Sequence, residues 1–471
     1  TTEVENAFIE SGKLMPRQGQ PGGRGQGGLG GMAWNRGITA RKAADMPSLA
    51  YVHDFGTTEQ ASSFMMMGYD EIEDIEYFYN RYKAYWAHDG HVSIIQAFKT
   101  MQSRYAGIMQ RCRQLDKTIY DDGLKAGGKQ YAEILSGSYW HGMVAHKLFK
   151  DKDGNLLFFS KENNSNGCVN TVDLTYPEAP LFLCYPELQK AMMTSIFDYS
   201  LSGRWTKPFA AHDLGTYPRA NGQVYGGDMP LEEAGNMITL AATICMLDGN
   251  TSYVEKYFDV MTTWADYLAE NGLHPANQLC TDDFAGHWAG NCNLALKAIM
   301  GVAGYTEIAK MMGKDDVHSR YNAKAKEMAA AWEKETKVKD HYELAYGAGA
   351  DTWSQKYNMV WDKLWQTNVI PGGAMQTEIK YYLKKQNKYG LPLDVRKDYT
   401  KSDWIMWTAA MADNDKDFQA FVAPLWKYIN ETPSRVPISD WHDTKTGSMV
   451  GFKARSVIGG YWMKVLADKM K

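Results

Sequence analysis

The chain is short of the features that announce whole classes of protein. No apolar run reaches the roughly 18–20 residues that a bilayer-spanning helix needs. A net charge of −4 leaves no basic footprint for nucleic acid. Cys112, Cys168, Cys184, Cys245, Cys280 and Cys292 contain no C-x-x-C pair, which removes zinc-ribbon and dithiol-redox readings. Cys112 and Cys245 fall in helical patterns as small hydrophobes, and a Cys280–Cys292 bridge stays open. No G-x-S-x-G elbow is present, and no Ser is followed three residues later by Lys, so a serine nucleophile has no motif to stand on. The glycine-rich run Gln18–Gly31 follows no apolar strand and opens no βαβ unit. It is therefore a loop and not a dinucleotide cradle.

Aromatic residues, by contrast, are plentiful: Trp 15 and Tyr 29 supply flat surface of the kind that holds sugar rings, although most such side chains wedge between packed helices. Residues 1–90 differ from the remainder. Short alternating stretches at 48–52 and 62–67 suggest strands, and the acidic, aromatic segment 70–87 suggests a linker helix. From about residue 91, apolar residues recur at three-to-four spacing and predict helices over 91–123, 127–149, 179–202, 229–249, 251–271, 291–313, 315–336, 354–367, 371–387, 401–412, 414–430 and 454–470. The links from even to odd helices are short, whereas those from odd to even are long and rich in Gly, Asp, His, Trp and Asn. A closed ring of hairpins places short turns on one face and long loops on the other. Small residues in the even helices, such as Ala295, Gly301, Gly459 and Gly460, suit an inner layer. The expected fold is all-α: an (α/α)6 toroid of six helical hairpins over 91–471, with the substrate mouth where the long loops gather.

Those loops hold the candidate chemistry. The densest, Phe209–Met237, carries His212, Asp213 and Asp228 ahead of Glu232, Glu233 and Asn236. Asp228 precedes Met229-Pro230 and has an alternative reading as a helix cap, with Glu232 and Glu233 as acids that a helix N-terminus favours. Thr400 and Asp403 likewise have capping-box spacing. Asp282 and Asp283 lie too early to cap the helix at 291, and Asp440 and Asp443 bracket Trp441 and His442. These four acids are the candidates for proton transfer. A hard cation on Asp282, Asp283 and His287 is conceivable, of the calcium kind, but no fixed ligand spacing supports it and no cofactor is otherwise expected. His212, His287 and His442 are candidate bases or positioning groups. Trp205, Trp288, Trp404 and Trp441 line the same loops.

Long segments in correct order resemble the fungal and bacterial glutaminase A family: LLFFSKENNSNGCVNTVDLTYPEAPLF (156–182), GRWTKPFAAHDLGTYPRANGQVYGGDMPLEEAGNM (203–237), QLCTDDFAGHWAGNCNLALKAIMG (278–301), TWSQKYNMVWDKLW (352–365), KQNKYGLPLD (385–394), SDWIMWTAAMA (402–412) and PISDWHDTKTGSMVGFKARSVIGGYW (437–462). The resemblance implies a β-sandwich ahead of the toroid, with 48–55 and 62–78 as its last strands and residues 1–90 as its tail. It implies hydrolysis of L-glutamine, an exported protein (periplasmic, cell-surface or secreted) and a small-molecule substrate. Oligomeric state is not implied. By analogy with glucoamylase-like toroids, acid and base sit before the sixth and twelfth helices, where Asp282/Asp283 and Asp440/Asp443 lie. Substrate contacts then fall to Lys161, Glu162, His212, Asp213, Asp228, Glu232, Asn236, His287, Trp288, Asp403, Trp404, Trp441 and Arg455, with Lys161 or Arg455 holding a carboxylate. The same acids on this fold also suit a glycoside hydrolase, and a non-catalytic ligand-binding mouth is the third reading.

Overall fold

The structure is a computed structural model that describes residues 52–88 and 92–471. The chain divides into two compact units, Thr1–Gly68 and Tyr69–Lys471. In the first, described residues 52–68 form no helix or strand, so the strand expected at 62–67 is irregular chain. The glycine-rich run, and all but Val52 of the stretch at 48–52, lie outside the described residues.

The second unit opens with a hairpin where a linker helix was expected. Strands β1 (Ile75–Tyr77) and β2 (Asn80–Tyr82) pair antiparallel. Phe78 and Tyr79 turn the chain between them at φ 44° and 66°, and Ile75 and Tyr77 are buried while Glu76 faces out. That two-residue alternation, not the density of acids, decides the segment. Helix α1 (Ile94–Val144) is broken at Gly127 and Gly128, which leave helical geometry. No residue between Ile94 and Thr118 is buried, whereas Tyr131, Ala132, Ile134, Leu135 and Ser138 beyond the break are. The ring therefore starts after Gly128, and the helix expected over 91–123 lies ahead of it. Helix is lost at Val144, not 149, because β3 (His146–Lys150) and β4 (Leu156–Ser160) form a hairpin around an Asp-Gly turn.

The helix missing from the expected count is α2 (Val172–Phe182), which is joined to α3 (Pro186–Leu201) by a short turn. Every residue of α2 except Asp173 is buried. A helix apolar on all sides has no polar face to generate periodicity, and Pro177 and Pro180 disguise it further. Next come β5 (Arg219–Ala220), parallel to β1, then α4 (Pro230–Asp248), α5 (Phe258–Asn271), α6 (Cys292–Met311) and α7 (Asp315–Thr336). A 3-10 turn (Tyr357–Met359) leads into α8 (Val360–Trp365), and α9 (Ala374–Leu383) follows. The ribbon of β6 (Tyr399–Lys401) and β7 (Trp441–Asp443) brackets α10 (Ser402–Ala410) and α11 (Asp415–Glu431). A 3-10 segment (Ser456–Trp462) runs into α12 (Met463–Lys469). None of the described helices is long and apolar enough to cross a membrane.

Burial sorts these elements into two layers. The even helices and their 3-10 leads are almost wholly buried, whereas the odd ones keep a solvent face. Along the inner layer α2 packs on α4, α4 on α6, α6 on 357–359, that turn on α10, α10 on 456–462, and 456–462 back on α2. The ring closes, and the fold is an (α/α)6 toroid. A tight seam lies where Gly459 and Gly460 meet α2. A Cβ on either would stand 2.6 Å from the Glu178 carbonyl oxygen or 2.7 Å from that of Pro177. Backbone cannot yield there as a side-chain tip can. Gly459→Ala should therefore cost about 1–3 kcal/mol by overpacking. Exposed Gly137 in α1 meets nothing within 4 Å, and Gly137→Ala should gain up to about 1 kcal/mol of helix propensity. Urea midpoints moving in opposite directions are the expected result.

Candidate active site

Each inner segment starts at the same end of the ring, and the long loops deliver polar side chains there. They form three hydrogen-bonded groups and one carboxyl that stands apart.

The first group is a buried ionic wall. Pairing of Thr400 with His442 and of Lys401 with Trp441 in the β6–β7 ribbon sets Lys401 beside Asp440. The Lys401 ammonium lies 2.7 Å from Asp440 Oδ2 and 2.9 Å from Asp403 Oδ1. Arg455 Nη2 donates to Asp440 at 2.8 Å, and its Nη1 lies 3.5 Å from Glu162 Oε1. Burial pushes the Asp440 carboxyl up, but Arg455 and Lys401 outweigh it and hold the group well below the ordinary carboxylate range. Asp403, by contrast, is raised, by burial and by Asp440.

The second group floors the ring. Lys297 Nζ donates to Glu232 at 2.9 Å and to Asn236 Oδ1 at 2.6 Å, and it sits 3.3 Å from the centre of the Tyr176 ring. Thr281 bridges Glu232 at 2.8 Å and the Tyr357 hydroxyl at 3.0 Å, and that hydroxyl donates to Asp282 at 2.5 Å. Asn293 also donates to Asp282, at 2.8 Å. Burial nonetheless pushes Asp282 up to about 6. Tyr357 stacks on Trp404 with ring centres 3.9 Å apart, so this tryptophan is spent on the floor.

The third group is centred on His212. Its Nδ1 meets Asp213 at 2.9 Å, its ring stacks on Tyr225, and its Nε2 faces Asp173 Oδ1 at 3.7 Å. Asp213 also accepts the backbone N–H groups of Gly215, Val224 and Tyr225, so it fixes both the loop and the imidazole. Burial disfavours a charged His212, but Asp213, Asp173 and Glu162 reverse that and raise its pKa. Glu233, fully buried, takes one hydrogen bond from Asn236 at 3.0 Å. Burial, Asp173 and Glu232 raise it well above the usual carboxylate range.

Asp283 is the carboxyl apart. It lies in a 3-10 turn (Asp283–Ala285), held from behind by the Tyr399 hydroxyl on the Phe284 carbonyl at 2.5 Å and by Arg396 on that of Gly286. No side chain among the described residues hydrogen-bonds its carboxylate. Burial, Asp173, Asp282 and Glu232 push it up to about 7. Among the acids Glu162, Asp173, Glu232, Glu233, Asp282, Asp283, Asp403 and Asp440, Asp173 and Asp283 are the two that are not buried; the Asp173 side chain is 22% exposed.

The structure thus gathers Glu162, His212, Asp213, Glu232, Asn236, Asp282, Asp283, Asp403, Asp440 and Arg455 of the expected set. Others lie apart. Asp443 closes a turn by accepting from Lys445 and Thr446. Asp228 binds Lys207 and Gln223, and the helix cap it was read as falls on Met229 without a side-chain bond. The capping box of Thr400 and Asp403 is also unformed, because Lys401 occupies the cap. Lys161 points the other way from Glu162, with its ammonium over the Tyr217 ring. His287 and Trp288 are exposed, and Trp441 packs with Phe284, Tyr399 and Phe452. His442 is buried against Tyr428 and lowered to about 4, which makes it a neutral ring bonded to the Tyr389 carbonyl. Arg455, expected to hold a substrate carboxylate, is already paired. Cys280 and Cys292 are free thiols, so the bridge between them is not formed.

Asp173, Lys297, Tyr357 and Lys401 escaped the sequence reading. Lys297 alone left a signal, a single cation in the apolar run NLALKAIMG. The ionic wall predicts a contrast in stability. Lys401→Met strands the buried Asp403 carboxyl and removes one of the two cations on Asp440, and should cost about 3–5 kcal/mol. Asp443→Ala, which removes a surface turn cap, should cost about 1 kcal/mol. Equal shifts in denaturant midpoint would show that the wall is not under electrostatic tension.

Residues 128–465 match the family model described as the Glutaminase A six helical-hairpin domain, and residues 1–122 match a domain of unknown function (DUF5127). The six-hairpin match starts at the Gly127-Gly128 break, and the other ends shortly before it. Glutaminase A of Aspergillus oryzae is 32% identical over 439 residues, covering 89% of this chain and 62% of that protein. A probable glutaminase of Arthroderma benhamiae is 28% identical over 416 residues, 68% of this chain and 48% of that one. The chain therefore spans less than two thirds of the length of these curated relatives. A structure of a metal-independent alpha mannosidase from Streptococcus pneumoniae, in non-productive complex with alpha-1,6-mannobiose, shares the fold with TM-score 0.51 at 10% identity, over 76% of this chain and 98% of that one. The chain belongs to the glutaminase A six helical-hairpin family.

Proposed function

We propose that the chain is a hydrolase that cleaves the side-chain amide of L-glutamine or a related small amide in the toroid mouth, with Asp283 as proton donor and Asp173 as the base that activates water. The observation that carries this reading is the contrast between the two acids that reach the mouth. Asp283 has carboxylates for charged neighbours and no side-chain hydrogen bond, so it holds its proton up to about pH 7. Burial leaves the Asp173 carboxyl above its ordinary range as well, but Asp173 faces His212 and Arg455, which favour its ionised form, whereas Asp283 faces carboxylates. Two carboxyls with opposed surroundings are the arrangement in which one donates and the other accepts. In the reaction, Asp173 takes a proton from water, the oxygen adds to the amide carbon, and Asp283 gives its proton to the departing nitrogen as the C–N bond breaks. Asp440, the acid expected opposite Asp283, serves here to keep Lys401 and Arg455 in place. The names of the relatives support the amide as substrate.

A second reading, cleavage of a glycosidic bond by the same pair, is supported by the alpha mannosidase whose fold this chain shares and by half-buried Phe284 beside Asp283. Ammonia release from glutamine, set against reducing-sugar release from a glycan panel, separates the two. With the active substrate, Asp283→Asn should lower kcat by about 10²–10⁴ with the thermal transition kept. Asp283 acts protonated, so kcat/KM should fall as pH rises through about 7, and the variant should lose that limb. Wild-type-like turnover in Asp283→Asn would sink the assignment.

A further inference from the structure

The structure assigns a divalent transition-metal site to the facing wall of the mouth, with His212 Nε2, Asp173 and Glu233 as its ligands. One donor atom from each of these residues lies within 4.8 Å of the other two. An ion at their centre is then at most about 2.8 Å from each, and modest side-chain movement brings it to the roughly 2.0–2.2 Å of a zinc–nitrogen or zinc–oxygen bond.

Three further observations point to an ion and not merely to a crowd of acids. The first is the set of donors left without partners. Asp173 Oδ1 and Glu233 Oε1 are buried and accept no hydrogen bond, although a carboxylate oxygen out of water normally keeps one. Glu233 as a whole is fully buried. The second is the orientation of the imidazole. Asp213 engages Nδ1, and three backbone N–H groups fix Asp213 in turn. When Nδ1 carries the proton, the Nε2 lone pair is aimed at Asp173, which is the carboxylate–histidine arrangement that supports metal ligands. The third is charge. Two carboxylate ligands with one neutral imidazole match a divalent cation.

The donor set also selects the ion. One imidazole with two carboxylates suits Zn²⁺ or Mn²⁺, whereas Ca²⁺ takes six to eight oxygens. Three protein ligands leave a coordination position open, on the side where Asp173 is accessible. The open position is the place for a water, and Asp173 lies near enough to Asp283 to raise its carboxyl. With the ion in place Asp173 acts as its ligand and the ion polarises the water, so the site goes beyond the two-carboxylate reading and does not depend on it. This group is distinct from the Asp282, Asp283 and His287 set weighed in the sequence, whose histidine is exposed.

The test uses the full chain, stripped with chelator and titrated calorimetrically with ZnCl₂ and, separately, MnCl₂. Wild type should bind one equivalent of at least one of the two, with a higher melting temperature in its presence. Glu233→Gln and Asp173→Asn should each weaken binding by at least about 100-fold while keeping a cooperative thermal transition, and Asp443→Asn should bind as wild type does. If Glu233→Gln does not fold, accessible Asp173→Asn decides the matter. No binding by the wild type would overturn the site, as would undiminished binding in a folded Glu233→Gln or Asp173→Asn. Because no substrate enters the titration, inactivity toward glutamine has no bearing on its result, and failure of the metal site leaves the two-carboxylate reading standing.

Discussion

The close approach of backbone to backbone at the ring seam governs the rest of this structure. Gly459 and Gly460 lie against the carbonyls of Glu178 and Pro177, and Gly301 lies against Gly235 in the same way between α4 and α6. Six inner segments can then close on a small radius, with all their N-terminal ends at one mouth. Closure creates an electrostatic difficulty, because every one of those ends except the 357–359 turn brings at least one acid. Eight carboxylates converge where water is scarce, and like charges in low dielectric repel strongly.

The protein answers with three buried cations and an imidazole. Lys401 and Arg455 neutralise Asp440 and its neighbours; Lys297 neutralises Glu232; His212 stands between Asp213 and Asp173. The acids that this supply leaves over are where reactivity concentrates. Asp283 has no cation at hand and retains its proton near neutrality, and Glu233 is kept neutral or awaits a stronger partner than an amide N–H. Site chemistry thus follows from how positive charge is distributed around the ring, not from the acids alone, which are present at every mouth loop.

The sequence made part of this legible and hid part for identifiable reasons. Amphipathic outer helices such as α7 and α11 display their period, and the alternation of short and long links revealed the ring. Buried everywhere but at Asp173, α2 has no polar face to show a period, so it vanished into a loop and took Asp173 with it. The hairpin of β1 and β2 was masked by the acids around it, of which Glu71 and Asp74 pair with Lys147. Asp282 and Asp283 stood out because they precede their helix by too many residues to cap it, and the structure places Asp282 in the floor of the ring and Asp283 at its mouth. Asp228 and Asp443 had the same composition around them, but one binds a lysine and the other a turn; only the path of the chain separates these cases. Lys401 and Lys297 act from within a strand and a helix, where a lone lysine reads as ordinary. The resemblance to the glutaminase A family reached the fold directly, because long loop motifs survive in order where periodicity fails.

The most direct test of the account is a crystal structure of the Asp283→Asn variant with intact L-glutamine bound. The side-chain amide should lie between residue 283 and Asp173, with its nitrogen within hydrogen-bond reach of the substituted side chain and a water or ion against Asp173. Glutamine bound elsewhere, or with its amide turned toward Asp443 or the exposed His287 loop, would contradict the assignment of the two mouth carboxyls.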